Sequence, residues 1–190
     1  QSSLVYTHYD RMIVGGLIPT TSPIQLEPLA YQKADFFNQR RETGIINVGE
    51  AGRVIVDGES YTLHFKDALY IGRGAKEIVF ESETADEPAH FYLNSSLAHQ
   101  SLPHKLVKSA DCIRVPLGDL HHGNTRSLNQ YIVPDLVETC QLMMGITEVK
   151  AGNVWNTMPC HVHRLRMEVY FYFDFSEEES VCHIMGEPQE

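Results

Sequence analysis

Residues 152–175 read GNVWNTMPCHVHRLRMEVYFYFDF, and this stretch decides the reading of the chain. His161 and His163 are two apart, so on a strand both point to one face. Glu168 follows five residues later, an odd spacing that no single unbroken strand can bring to the same face. A turn or bulge across 164–167 is expected to set Glu168, on the next strand, opposite the two imidazoles. Two imidazoles and one carboxylate form a ligand set for a borderline divalent metal such as zinc, iron, manganese or nickel.

Beyond that turn the alternation is regular. Glu168, Tyr170, Tyr172 and Asp174 take one face; Val169, Phe171, Phe173 and Phe175 take the other. A tyrosine-rich face beside a ligand carboxylate reads as a pocket wall, and the apolar face must pack on another layer. Tyr170 and Tyr172 are therefore candidate substrate contacts. Arg164 and Arg166 sit beside the ligands and suit a substrate carboxylate, with solvated turn arginines as the competing reading. Cys160 alternates away from His161 and is expected to pack inward rather than ligate.

Outward from this stretch, the chain reads as short strands. Residues 4–18 give two strands around a turn at Tyr9 and Asp10. Residues 42–80 give a meander: 45–48, 54–56, 61–65, 68–71 and 78–80, with Asp57-Gly58 as a hairpin turn signal. Residues 91–93, 140–146 and 181–185 add further strands. Residues 94–126, broken by Pro103, Pro116 and Gly118, read as a connection, and their four histidines (His99, His104, His121, His122) as surface residues. His183 is expected to be structural. Many short strands with glycine turns indicate an all-β sandwich or small barrel.

The 190 residues suffice for one large β domain or two small ones. A hydrophobic share of 43% and a charged share of 21% are ordinary for a globular protein. The formal charge of −10 argues against nucleic acid, which needs clustered Lys and Arg. It leaves room for a small anionic substrate held by a few local cations. Cys112, Cys140, Cys160 and Cys182 are too sparse for a disulfide framework, so reduced thiols in a cytoplasm are expected. No apolar run approaches the ~20 residues of a membrane helix.

Gly152, His161, His163 and Glu168 resemble the first motif of the cupin superfamily. The longer strings WNTMPCH and RMEVYFYFD are similar to the 5-keto-4-deoxyuronate isomerase family of pectin breakdown. So are YDRMIVGG (9–16), RRETGIINVG (40–49) and SLNQYI (127–132). The resemblance runs along nearly the whole chain. It implies an all-β bicupin of two jelly-roll β-barrel units, 1–115 and 116–190, the second incomplete at its C-terminal end. In the first unit Glu42 and Gly49 keep the motif spacing, but Phe36 and Asn38, or Asp35 and Phe37, stand where histidines belong. Glu77 stands where the last histidine of the second motif belongs. That unit is expected to be metal-free.

The resemblance further implies an aldose–ketose isomerase acting on a 4-deoxy-5-keto-uronate with one zinc per subunit. Its ligands would be His161, His163 and Glu168, with a fourth histidine beyond residue 190. A cytoplasmic homo-oligomer, a hexamer, is implied as well. No catalytic base is assigned. An iron-dependent cupin oxygenase, a non-catalytic sugar-acid-binding cupin and a storage-type bicupin are the alternatives.

Overall fold

A computed structural model describes residues 1–163 and 165–186. Arg164, one of the candidate substrate contacts, lies outside the described residues. The chain divides into two compact units, one of Gln1–Ile113 with Asn129–Ile146, the other of Arg114–Leu128 with Thr147–Glu190.

The first unit is a two-layer β structure. Ten strands precede residue 110: β1 (Ser2–Tyr6), β2 (Ile13–Leu17), β3 (Ile24–Gln25), β4 (Arg41–Asn47), β5 (Gly52–Val56), β6 (Glu59–Leu63), β7 (Ala68–Ile71), β8 (Ile78–Ser82), β9 (Phe91–Leu97) and β10 (Lys105–Val107). One sheet has the order β1-β2-β9-β4-β7-β10, the other β3-β8-β5-β6. One core lies between them, with Ile13, Ile45 and Leu93 from the first sheet and Val54, Leu63 and Phe80 from the second. Phe80 meets Phe91 across it at 5.2 Å. The all-β reading holds, and the meander of 42–80 forms as the alternation and turn residues predict. At its tightest corner Asp57 and Gly58 both take positive φ, 48° and 89°, which suits a two-residue hairpin.

β4 is buried along its whole length because both faces are covered. Ile45 faces the core between the sheets. The alternate face, Glu42, Gly44 and Ile46, is covered by the returning segment 129–146. A Cβ at Gly44 would lie 2.3 Å from Met144 Sδ and 2.9 Å from Ile132 Cδ1, so only glycine permits this approach.

The last three strands, β11 (Ile113–Leu117), β12 (Arg126–Ile132) and β13 (Met144–Val149), form a sheet in that order. β10 and β11 arise in the stretch read as a plain connection. The 140–146 strand begins only at Met144, because residues 140–142 are drawn aside as backbone donors.

In the second unit the central stretch is anchored at its start. Val154 N and Trp155 N both donate to Gly123 O, at 2.9 and 3.1 Å, and Thr125 N donates to Asn153 Oδ1 at 2.8 Å. Beyond it the expected strands do not form: the described residues 152–185 carry no strand ladder. An alternating segment becomes a strand only when neighbours pair with it, and a lone hairpin is marginal in water. Cys160, expected to pack inward, is exposed for the same reason. Among the described residues no helix is long and apolar enough to cross a membrane.

Candidate functional site

The motif residues nevertheless gather. His163 Nε2 lies 3.4 Å from Glu168 Oε1. Both converge on one cation, the Arg166 guanidinium, whose Nη2 is 2.7 Å from His163 Nε2 and 2.8 Å from Glu168 Oε1. Since a guanidinium only donates, His163 Nε2 accepts there through its lone pair, as a metal ligand would. The His161 ring stands 4.8 Å from that of His163, edge to face. Its Nδ1 donates to Pro159 O at 2.9 Å, leaving Nε2 with a lone pair.

The structure thus brings His163 and Glu168 together and sets His161 beside them. Among the described residues no three His, Cys, Asp or Glu side chains are disposed around a common metal position. The donor chemistry does fit a divalent cation: one imidazole lone pair and a carboxylate already gathered at a positive group, with a second imidazole alongside.

Glu168 is further held by Tyr170, whose Oη donates to Oε2 at 2.7 Å. Burial pushes this carboxyl up, but the bonds from Tyr170 and Arg166 outweigh it and hold it below the usual range. The Tyr170 hydroxyl is pushed up to about 12, by burial first and by its bond to Glu168 next. Tyr170 and Tyr172 stack at 6.4 Å, while Phe171 and Phe173 stack at 5.8 Å. The two-residue alternation therefore persists in the side chains without a ladder.

His183, expected to be structural, joins the tyrosine face. It hydrogen-bonds Tyr172 Oη through Nδ1 and meets the Tyr170 ring edge to face at 4.9 Å. Tyr172 and His183 lie on either side of the acidic turn 177–179, which is the only sequence hint that they meet.

The first unit's motif remnant has taken a different role. Glu42 is fully buried and accepts five hydrogen bonds: from Tyr70 Oη, Ser96 Oγ and the backbone N–H groups of Cys140, Gln141 and Leu142. Asn38, also fully buried, donates to Ile71 O and Gly72 O and accepts from Thr43 Oγ1. These donors and acceptors are spent on the fold itself.

Residues 2–190 match the KduI/IolB family. The chain belongs to the KduI/IolB family. Among its relatives, the 4-deoxy-L-threo-5-hexosulose-uronate ketol-isomerase of Formosa agariphila is 54% identical over 99% of this chain and 67% of its own length. The enzymes of the same name from Lachnoclostridium phytofermentans and Salmonella typhimurium are 51% and 50% identical, each with 68% of its length covered. The chain therefore spans about two thirds of the length of these relatives. Among solved structures, an IolB-like protein of Salmonella typhimurium superposes with a TM-score of 0.52 at 12% identity. That match covers 67% of this chain and 46% of the other, and it speaks for the fold alone. The resemblance to the uronate isomerases, carried by the motifs around His161 and Arg41, is borne out.

Proposed function

We propose that this KduI/IolB chain is a 4-deoxy-L-threo-5-hexosulose-uronate ketol-isomerase. The carrying observation is identity of 50–54% to enzymes of that name over nearly the whole chain. The reaction is an internal redox change. One hydrogen leaves C2 and one arrives at C1 while the carbonyl passes from C1 to C2, so no external oxidant is needed.

His161, His163 and Glu168 would hold one zinc ion. Convergence of His163 and Glu168 on the Arg166 cation supports this set. Bound there, zinc would supply Lewis acidity toward the carbonyl and the adjacent hydroxyl. Tyr170 and Tyr172 present hydroxyls beside that position and would orient the sugar's oxygens. Arg166, displaced from the ligand pair, would take the substrate carboxylate through its planar fork, together with Arg164. We read the architecture as two cupin units, 1–115 and 116–190, with only the second holding metal. The same reading carries a cytoplasmic homo-oligomer, hexameric by family resemblance.

The test is to incubate the zinc-supplemented protein with 4-deoxy-L-threo-5-hexosulose uronate and follow the 2-ketone product by NMR. Turnover is expected, with zinc bound in stoichiometric amount. A zinc-loaded protein that leaves the substrate unchanged would overturn the assignment.

A further inference from the structure

Arg41 is 3% exposed, yet no carboxylate pairs with it among the described residues. Its Nε donates to Ser95 Oγ at 3.0 Å, and Nη2 donates to Arg11 O and Ser95 O at 2.7 and 2.6 Å. These acceptors are neutral, so the positive charge itself is uncompensated. Burial draws its pKa down to about 10, with the Tyr6 hydroxyl as the one opposing influence. A buried charge without a counter-charge is costly, and proteins seldom keep one without use. The third nitrogen, Nη1, has no partner among the described residues. It is also absent from the fully buried polar atoms that lack a partner among the described residues. Nη1 therefore keeps the side chain's small contact with solvent.

Two segments of the first unit are tied to Arg41 and its neighbour Arg40. The β1–β2 turn is tied down by the Arg41–Arg11 bond and carries His8. The 3-10 turn Ala30–Gln32 is tied by Arg40, which donates to Gln32 O and Lys33 O, and carries Tyr31. Tyr6 joins the two, stacked on Tyr31 at 5.9 Å and edge to face with His8 at 5.6 Å. Tyr31 is 72% exposed, an unusual place for an aromatic ring with no binding role. Residues 1–41 hold four Lys and Arg against three Asp and Glu, a net +1 within a chain of −10.

We propose that the first unit carries a second small-molecule site, for a carboxylate-bearing sugar, with Arg41 as the carboxylate anchor and Tyr31, Tyr6 and His8 as the stacking wall. Guanidinium to carboxylate supplies the charge-assisted bond, and the ring faces cover the sugar's apolar C–H surface. The site is independent of the His161 stretch and adds a recognition function to the first unit.

Calorimetric titration of the His161→Ala/His163→Ala protein with D-glucuronate and with D-glucose tests this, since that background removes the candidate metal ligands. Saturable binding of glucuronate is expected, with glucose at least about tenfold weaker because it lacks the carboxylate. Tyr31→Ala, at an exposed position that leaves the fold intact, should weaken glucuronate by about tenfold as well. Arg41→Lys should weaken it while keeping a buried cation. The proposal is overturned if glucuronate does not bind, if glucose binds equally, or if Tyr31→Ala leaves the affinity unchanged.

Discussion

Tyr70 Oη donates to Glu42 Oε2 at 2.7 Å with both side chains fully buried. The same carboxylate binds the backbone of residues 98 to 100 positions further along, so it ties β4 and β7 to the returning segment. Removing it in Glu42→Ala leaves five donors, three of them on buried residues, without this acceptor. The expected loss is about 3–5 kcal/mol, read as a lower urea midpoint. Glu42→Gln should lose less, since one acceptor oxygen remains. An unchanged midpoint in Glu42→Ala would contradict the role.

Alkaline stability follows from the same pair. Burial, then the Glu42 bond, pushes the Tyr70 hydroxyl well above its ordinary value of 10.0. The folded state thus holds this proton more tightly than the unfolded chain. The contribution is full below the unfolded tyrosine pKa and fades as pH rises toward the folded one. Tyr70→Phe should flatten the fall in stability above pH 10, measured by denaturant titration at a series of alkaline pH values.

These two residues also mark how much the sequence could say. Strand positions in 42–80 were legible because local alternation and turn residues agree with the final pairing. The five-donor nest around Glu42 was not, because its partners lie far along the chain and backbone N–H groups have no sequence signature. Arg41 escaped notice for a related reason: burial of a charge is a tertiary property. In the second unit the convergence of His163 with Glu168 was legible from the motif. Its strand geometry was not realised, because a ladder depends on neighbours that alternation alone does not supply.

Metal binding should depend on the second unit alone. His161→Ala and His163→Ala are each expected to reduce bound zinc by at least tenfold, an order of magnitude typical of losing a ligand or its support. Glu77→Ala, at an exposed position, should leave zinc content unchanged. Elemental analysis after dialysis reads both, and equal zinc in the double histidine variant would remove these residues from the ligand set.

Tyr170 should control the charge on Glu168. Its bond, with that of Arg166, outweighs burial and holds the carboxyl below its ordinary value of 4.5. In Tyr170→Phe one donor is gone, so the carboxyl pKa should rise toward the ordinary range, followed by carbon-detected NMR titration. A depressed carboxylate stabilises the fold above its unfolded pKa, and that contribution is lost as pH falls through the folded value. The variant should therefore show a smaller acid-induced loss of stability than the wild-type chain.

His183 should matter to turnover without holding metal. It bonds Tyr172 and packs against Tyr170, so it fixes the hydroxyls proposed to orient the sugar. His183→Asn keeps a hydrogen-bonding group but loses the ring that contacts Tyr170. Zinc content should stay at the wild-type level while kcat/KM falls by about tenfold, the cost of ~1.4 kcal/mol of lost positioning. Tyr172→Phe should fall similarly, and the double variant should be little worse than either alone, because residues acting through one contact are not additive. Fully additive losses would mean that the two side chains act separately, and a loss of zinc in His183→Asn would place it among the ligands instead.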